Sequence, residues 1–364
     1  MKKTNLFAIL ALAATPAFMH AQTTSYSDVV GYVQYNLAAA ADTIVAPQVF
    51  RPAELSATVS GLSSAGSQAT LNLSGVSLTS NQFVYNSSTQ TKTYFVLVTT
   101  GNLAGTYFMV ASNTTDSITV NLDGLTVATP DITAIEVRPC WTLNTLFPAA
   151  DANTSFTPSA SSSPGARRTT INLPNLTGTG VNRAASATYF FNNTSGVQDW
   201  VSTAATSTKA GDTAILPGAY LVLRNTGGTP VNLSLTQTGT VFARPLSYYL
   251  GTAATANDNY LALPRPTDYT LAELGIDNNS FLASTSTSPG GRRDQLLVLS
   301  PTGSGVNRAA AATYFRFNNN WYSTAASTVI TNNAVIPAGS AITIRKFASD
   351  GTDKVWKNDL NASL

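Results

Sequence analysis

An eleven-residue run, Gly180-Val181-Asn182-Arg183-Ala184-Ala185-Ser186-Ala187-Thr188-Tyr189-Phe190, returns as Gly305-Val306-Asn307-Arg308-Ala309-Ala310-Ala311-Ala312-Thr313-Tyr314-Phe315 with one position changed. Ser163-Pro164-Gly165-Ala166-Arg167-Arg168 returns as Ser288-Pro289-Gly290-Gly291-Arg292-Arg293, at the same offset of 125 residues. Further on, Trp200 answers to Trp321, and Ile215-Leu216-Pro217-Gly218 to Val335-Ile336-Pro337-Ala338. Self-similarity at a fixed offset marks a structural unit used more than once. The chain is therefore expected to hold one module twice.

Extending the comparison backwards exposes an interruption. Asp258 to Pro266 in the second copy runs at once into Tyr269-Thr270-Leu271. In the first copy, Asp42 to Arg51-Pro52 is separated from Trp141-Thr142-Leu143 by almost ninety residues. Residues 53–138 therefore look like an insertion, with turn signals at Asn102, Gly105, Asn113 and Asp123-Gly124 between short strands. The expected organisation is a signal segment at 1–21, a first module from 22–52 plus 139–239, the insert 53–138, and a second module at 240–364. The second copy closes without an insert, so a short linker in place of 53–138 is expected to be tolerated.

Segments rich in Val, Ile, Thr, Tyr and Phe alternate with Gly, Asn, Ser and Pro clusters, and Glu occurs only at 54, 136 and 273. The fold class is expected to be all-β: two repeated β-sandwich-like modules, with a small β-barrel or sandwich inserted in the first. Very few short helices are expected, at Thr142 to Phe147 and Thr270 to Leu274, where leucines three apart follow a capping Thr.

Lys2 and Lys3, the apolar run Leu6 to Ala14, and Ala21 after Pro16 have the form of an export signal. Its removal leaves 18 basic against 18 acidic residues and takes away His20, the only histidine. Neutrality argues against nucleic acid as a partner. Loss of His20 removes histidine-based nucleophilic sites, zinc ligation and general bases. The lone Cys140 reads as a small buried residue beside Trp141. No cofactor or metal is expected, although Asp350 and Asp353 have part of the oxygen spacing of a calcium loop.

The motifs Ser27-Asp28-Val29-Val30-Gly31-Tyr32-Val33, Arg51-Pro52, Asn81-Gln82-Phe83, Thr99-Thr100-Gly101 with Gly105, Trp141-Thr142-Leu143 with Leu146-Phe147, and Pro217-Gly218 occur in this order. Over essentially the whole mature chain they resemble a paralogous family of uncharacterised exported proteins of verrucomicrobial bacteria. The resemblance implies export and a β-rich fold. It implies no activity and no site residues.

Arg183 and Arg308 precede aromatic strands, and an Arg beside Tyr or Trp can cradle a sugar or an anion. Trp200, Trp321 and Tyr322 are the aromatics offered to a glycan if they are exposed. The competing reading has Asn182 and Asn307 holding turns, the arginines covering apolar surface, and Tyr189, Phe191, Tyr314 and Phe315 packed inside. Arg167-Arg168 and Arg292-Arg293 face the same choice between acidic polysaccharide and solvated turns. Asp199 and Asp294 are the carboxylates a histidine-free hydrolase would need. The leading expectation is an exported, non-catalytic structural or interaction protein of the cell surface or extracellular matrix, with the periplasm as the other compartment. Its partners would be other surface or matrix proteins or polysaccharide, self-association being open, and any partner surface is expected on the insert near Thr99 to Gly105 and Asn113 to Asp116. The alternative is a glycan-binding protein using exposed aromatics.

Overall fold

Alternating burial marks the long strands. Leu233–Val241 buries Leu235, Gln237 and Gly239 while exposing Ser234, Thr236 and Thr238, the period of a sheet with one covered face. The computed structural model describes residues 29–148, 157–194, 196–226, 232–241, 244–348 and 354–358. The expected signal segment and the Asp350 to Asp353 loop lie outside these residues.

The described residues begin with β1 (Val30–Leu37), β2 (Ala41–Val45) and β3 (Val49–Phe50). Then come β4 (Leu55–Ala65), β5 (Gln68–Ser74), β6 (Tyr94–Thr100), β7 (Tyr107–Asn113), β8 (Ser117–Asn121) and β9 (Ala134–Pro139). After them run β10 (Trp141–Thr142), α1 (Leu143–Leu146), β11 (Thr170–Leu173), β12 (Ala187–Asn192), β13 (Asp199–Ser202) and β14 (Ala205–Lys209). β15 (Ala214–Ile215), β16 (Leu221–Asn225) and β17 (Leu233–Val241) complete this half. The remainder holds β18 (Leu246–Leu250), β19 (Asn257–Ala262), β20 (Tyr269–Thr270), β21 (Gln295–Leu299) and β22 (Ala312–Phe317). It ends with β23 (Asn320–Ser323), β24 (Val335–Ile336), β25 (Ala341–Lys346) and β26 (Lys354–Asn358). The protein is all-β.

One sheet has the order β14-β13-β12-β11-β16-β2, and another has β23-β22-β21-β25-β19. From the second strand of the first order onward, the two orders match strand for strand in the alignment of the sequence repeat. The small pairs match as well: β10 with β15 against β20 with β24, and β1 with β17 against β18 with β26. One hydrophobic cluster gathers Phe147, Ile171, Phe191, Trp200 and Leu223. Another gathers Phe281, Leu296, Trp321, Ile344 and Trp356.

Strands β4-β5-β8-β7-β6-β9 close into a six-stranded barrel. β6 shows how it is seated. Tyr94, Val96 and Val98 point into the barrel core, and the alternate Phe95 and Leu97 lie in the cluster that holds Leu246, Tyr248 and Trp356. Burial on both faces explains its unbroken apolar run. The Ser247 amide also donates to Gly105 O at 2.9 Å. This shared packing argues against the expectation that a linker can replace residues 53–138, because the barrel's outer face covers part of the second half's core.

Thr142 caps α1 in a reciprocal box: its hydroxyl accepts from the Thr145 amide and the Thr145 hydroxyl accepts from the Thr142 amide. The helix expected at Thr270 to Leu274 is instead a turn. Thr270 and Glu273 form a similar box, with the Thr270 amide 2.7 Å from Glu273 Oε2. But Leu271 and Ala272 donate to Ala334 O and Asn332 O, and Gly275 follows with φ +63°. Leu143 and Asn144 likewise donate to Thr213 O and Gly211 O, so the difference lies at the far end: Phe147 N reaches Leu143 O, four residues back, at 2.8 Å, whereas Gly275 N reaches Ala272 O, three residues back, at 3.4 Å.

A candidate binding groove between the repeats

The repeated turn works across the two halves. Asn182 and Asn307 sit at φ +50° and +52°, the left-handed region that Asn tolerates better than most residues. This bend presents a carbonyl, an amide and a side-chain carboxamide to the edge strand of the opposite sheet. Asp258 N donates to Gly180 O at 3.0 Å, and Asn182 N donates to Asp258 Oδ2 at 2.7 Å. Arg345 grips the same carboxylate through Nε and Nη2 at 2.7 and 3.0 Å, and its Nη2 also reaches Asn182 Oδ1 at 2.9 Å.

The other copy returns the contact. Asp42 N donates to Gly305 O at 2.9 Å, and Asn307 N donates to Asp42 Oδ2 at 2.7 Å. Arg224 holds Asp42 through Nε and Nη2, each at 2.8 Å, and its Nη2 lies 2.6 Å from Asn307 Oδ1. Hydrogen bonding to Asp42 and to Asp258 raises Arg224 and Arg345 further above the ordinary guanidinium range. Such reciprocity is the contact pattern of a two-fold-related pair. It also covers two sheet edges, β2 and β19, that would otherwise present free backbone groups. A small apolar cluster of Ile44, Ala46, Tyr220, Ala262 and Ala341 fills the space between.

Equivalence stops at the arginines that close the two turns. Arg183 lies over the Tyr260 ring, 4.8 Å from its centroid, and donates from Nε to Asn175 O at 3.0 Å. Its Nη1 reaches Gly180 O and Asn257 Oδ1, both at 2.9 Å. In the alignment that matches Asp258 to Asp42, Tyr260 and Asn257 become Ile44 and Ala41. Arg308 therefore finds neither a ring nor a carboxamide. It donates from Nη2 to Ser300 O, and its buried Nε has no acceptor. Beside it opens a groove of about 560 Å³, lined by Arg183, Arg224, Arg308, Asn172, Ile44 and Leu299 among others. Asp42 is the one carboxylate in that lining.

Arg183 and Arg308, singled out in the sequence, thus meet in one groove. The aromatics do not join them. Trp200 has no exposed surface and donates its indole N–H to Phe147 O at 3.0 Å, while Trp321 is buried against Phe281. Neither offers a ring face to a glycan, because each fills the core of its own half. Tyr322 is half-buried and stacks on Phe315 at 5.8 Å.

Arg167 lies over Phe190, Arg292 over Phe315 and Arg293 over Phe347, so these turn cations cover rings. Asp294 is fully buried, paired with Lys346, and accepts from Leu282 N and Phe347 N. Burial pushes its carboxyl up, with Lys346 pulling against it. Asp199 belongs to the other sheet and accepts from Trp200 N at 2.7 Å. Burial pushes its carboxyl up as well. Burial likewise pushes the Cys140 thiol up to about 12. On the insert, Gly105 backs onto Pro245, and buried Asn113 ties Phe83 N to Thr79 O. Parts of both turns expected to meet partners are therefore engaged within the chain. Among the described residues no three His, Cys, Asp or Glu side chains converge as a metal site, and no helix is long and apolar enough to cross a membrane.

Sequence reasoning passed over Asp42, Arg224, Asp258 and Arg345. Asp42 and Asp258 stood at matching positions of the two copies, which was the available signal. Comparison of the chain with family models, with curated proteins and with solved structures finds no match.

Proposed function

We propose that this is an exported, non-catalytic structural or interaction protein, acting at the cell surface or in the extracellular matrix, built from two docked β modules and an inserted barrel. The observation that carries this reading is the reciprocal docking: the residues most nearly identical between the copies hold the halves together. A duplicated catalytic site would be expected to keep an exposed reactive group in each copy. Here Asn182 and Asn307, with Asp258 and Asp42, are engaged in joining sheets. Of the two carboxylates nominated for hydrolysis, Asp294 supports the same reading, since it is held by Lys346 and by two backbone amides.

Fractionation with terminal sequencing tests the proposal. The protein is expected in the envelope or culture fluid, beginning within a residue or two of Gln22. An intact Met1 on cytoplasmic protein would sink the export half. Turnover of any polysaccharide by the purified protein, abolished by Asp199→Asn, would sink the non-catalytic half.

A further inference from the structure

We infer that the groove beside Arg308 binds an acidic saccharide, with the Arg308 guanidinium receiving the sugar's carboxylate. The inference goes beyond the proposed architecture and rests on that reading only in asking no turnover of the groove. Its basis is an internal control that the duplication supplies. Arg183 and Arg308 occupy the same place in the same turn, and at Arg183 the surroundings satisfy the cation with three acceptors and a ring. At Arg308 the ring and the carboxamide are replaced by Ile44 and Ala41, and the guanidinium keeps one side-chain hydrogen bond, to Ser300 O, beside an open groove. A guanidinium short of acceptors favours an anion, and a carboxylate is the acceptor whose two oxygens match its fork.

The groove's charge and size specify the rest. Three guanidinium groups line it with one carboxylate, Asp42, and that carboxylate is bridged by Arg224 and the Asn307 amide. The field therefore favours an anion. About 560 Å³ lies within the usual range of small-ligand sites and exceeds what a bare oxyanion needs. Carboxamide and hydroxyl groups of Asn172, Ser300 and Thr302 line it beside the small apolar side chains of Ala309 and Ala311. Such a mixed wall suits sugar hydroxyls and ring carbons. Gly303 makes room for the cation: a Cβ there would run into Arg308 Nη1.

Calorimetry on the full chain at low salt tests this with three probes: trigalacturonate, its methyl ester and sodium sulfate. Trigalacturonate is expected to bind at least tenfold tighter than the other two. Equal binding of the neutral ester would overturn the role of charge, and equal binding of sulfate would overturn the saccharide. Arg308→Gln is expected to weaken trigalacturonate at least tenfold, whereas unchanged binding overturns the assignment. The pair Ala41→Asn with Ile44→Tyr gives Arg308 the neighbours that Arg183 has. This variant is expected to melt no lower than the parent and to lose binding at least tenfold, and retained affinity would again overturn the assignment. Trisaccharide recovered intact is the expected end state. Cleaved sugar would sink the non-catalytic reading while leaving the binding site standing, whereas absence of binding sinks only the site.

Discussion

The turns Gly180 to Arg183 and Gly305 to Arg308 have one sequence and one backbone shape, yet they end in different company. Each hydrogen-bonds its Asn to an Asp–Arg pair of the opposite half. One then closes on Tyr260 and Asn257, and the other stops at Ile44 and Ala41. The shared contacts are what the two copies of the turn have in common. The unshared ones show where one copy departs from the other, and there the molecule has a groove instead of packing. A second contrast runs alongside: the first half carries the barrel, and the second half uses that barrel's outer face as part of its own core.

Removing residues 53–138 attacks the second contrast and is expected to have the largest effect. Phe50, Leu246 and Tyr248 share a cluster with Phe95 and Leu97 of the barrel wall. Fully burying such a side chain contributes about 1.5–3 kcal/mol, against a typical total stability of about 5–15 kcal/mol. A linker variant should lose its cooperative urea transition by circular dichroism. A sharp transition at the parent's midpoint would show that the halves close without the barrel.

Next in size is the docking itself. Asp258→Ala and Asp42→Ala each leave an arginine and an Asn amide without their acceptor. Each is expected to cost about 3 kcal/mol, near the lower end for breaking a buried pair because both arginines are partly exposed. Denaturant melts of the two singles and the double should show less than additive loss if the sites cooperate. Strict additivity would mean that the two docking points act independently.

The arginines separate the copies more finely. Arg183→Ala removes three hydrogen bonds and a cation–π contact and is expected to cost about 2–3 kcal/mol. Arg308→Ala, with one hydrogen bond to lose, is expected to cost under about 1 kcal/mol. Equal losses would remove the asymmetry on which the groove assignment stands.

The smallest effect concerns the capping boxes. Glu273 closes its box as a carboxylate, and hydrogen bonds from the Thr270 amide and hydroxyl hold its carboxyl below the usual range. A lowered folded pKa means that the stabilising contribution is complete above the unfolded value and is lost as pH falls through the folded one. Thr145 performs the matching role in the first half with a hydroxyl that does not titrate. Hydrogen exchange between pH 6 and pH 3, corrected for intrinsic rates, should show protection falling at Thr270 and holding at Thr142. Equal behaviour would mean that backbone bonds alone hold both turns.

Much of the fold was legible because it is local. Alternating β-branched and polar residues, Gly and Asn turns and the Thr142 cap all act over a few positions. The repeat in the sequence is read from residues that can be aligned by eye. Burial of Trp200 and Trp321 was not legible, since an indole suits a core and a sugar platform equally until the opposing layer is known. Docking was hidden for another reason. Asp42 meets Asn307 across 265 positions and Asp258 meets Asn182 across 76, and nothing in either segment names its partner. The turn at Thr270 differs from the helix at Thr142 only at its end, where Gly275 takes a left-handed φ and its amide reaches three residues back instead of four.

Those two separations also set an order of events during synthesis. At about 5–20 residues per second, Asn307 leaves the ribosome about 13–50 s after Asp42, given the 265 positions between them. Arg224 arrives before it, so the first edge waits as a bare ion pair with no cover. Asp258 finds Asn182 already made when it emerges and waits only for Arg345, 87 positions later. Two clasps of the same geometry thus shut in sequence, and the one that waits longest is the one beside the groove.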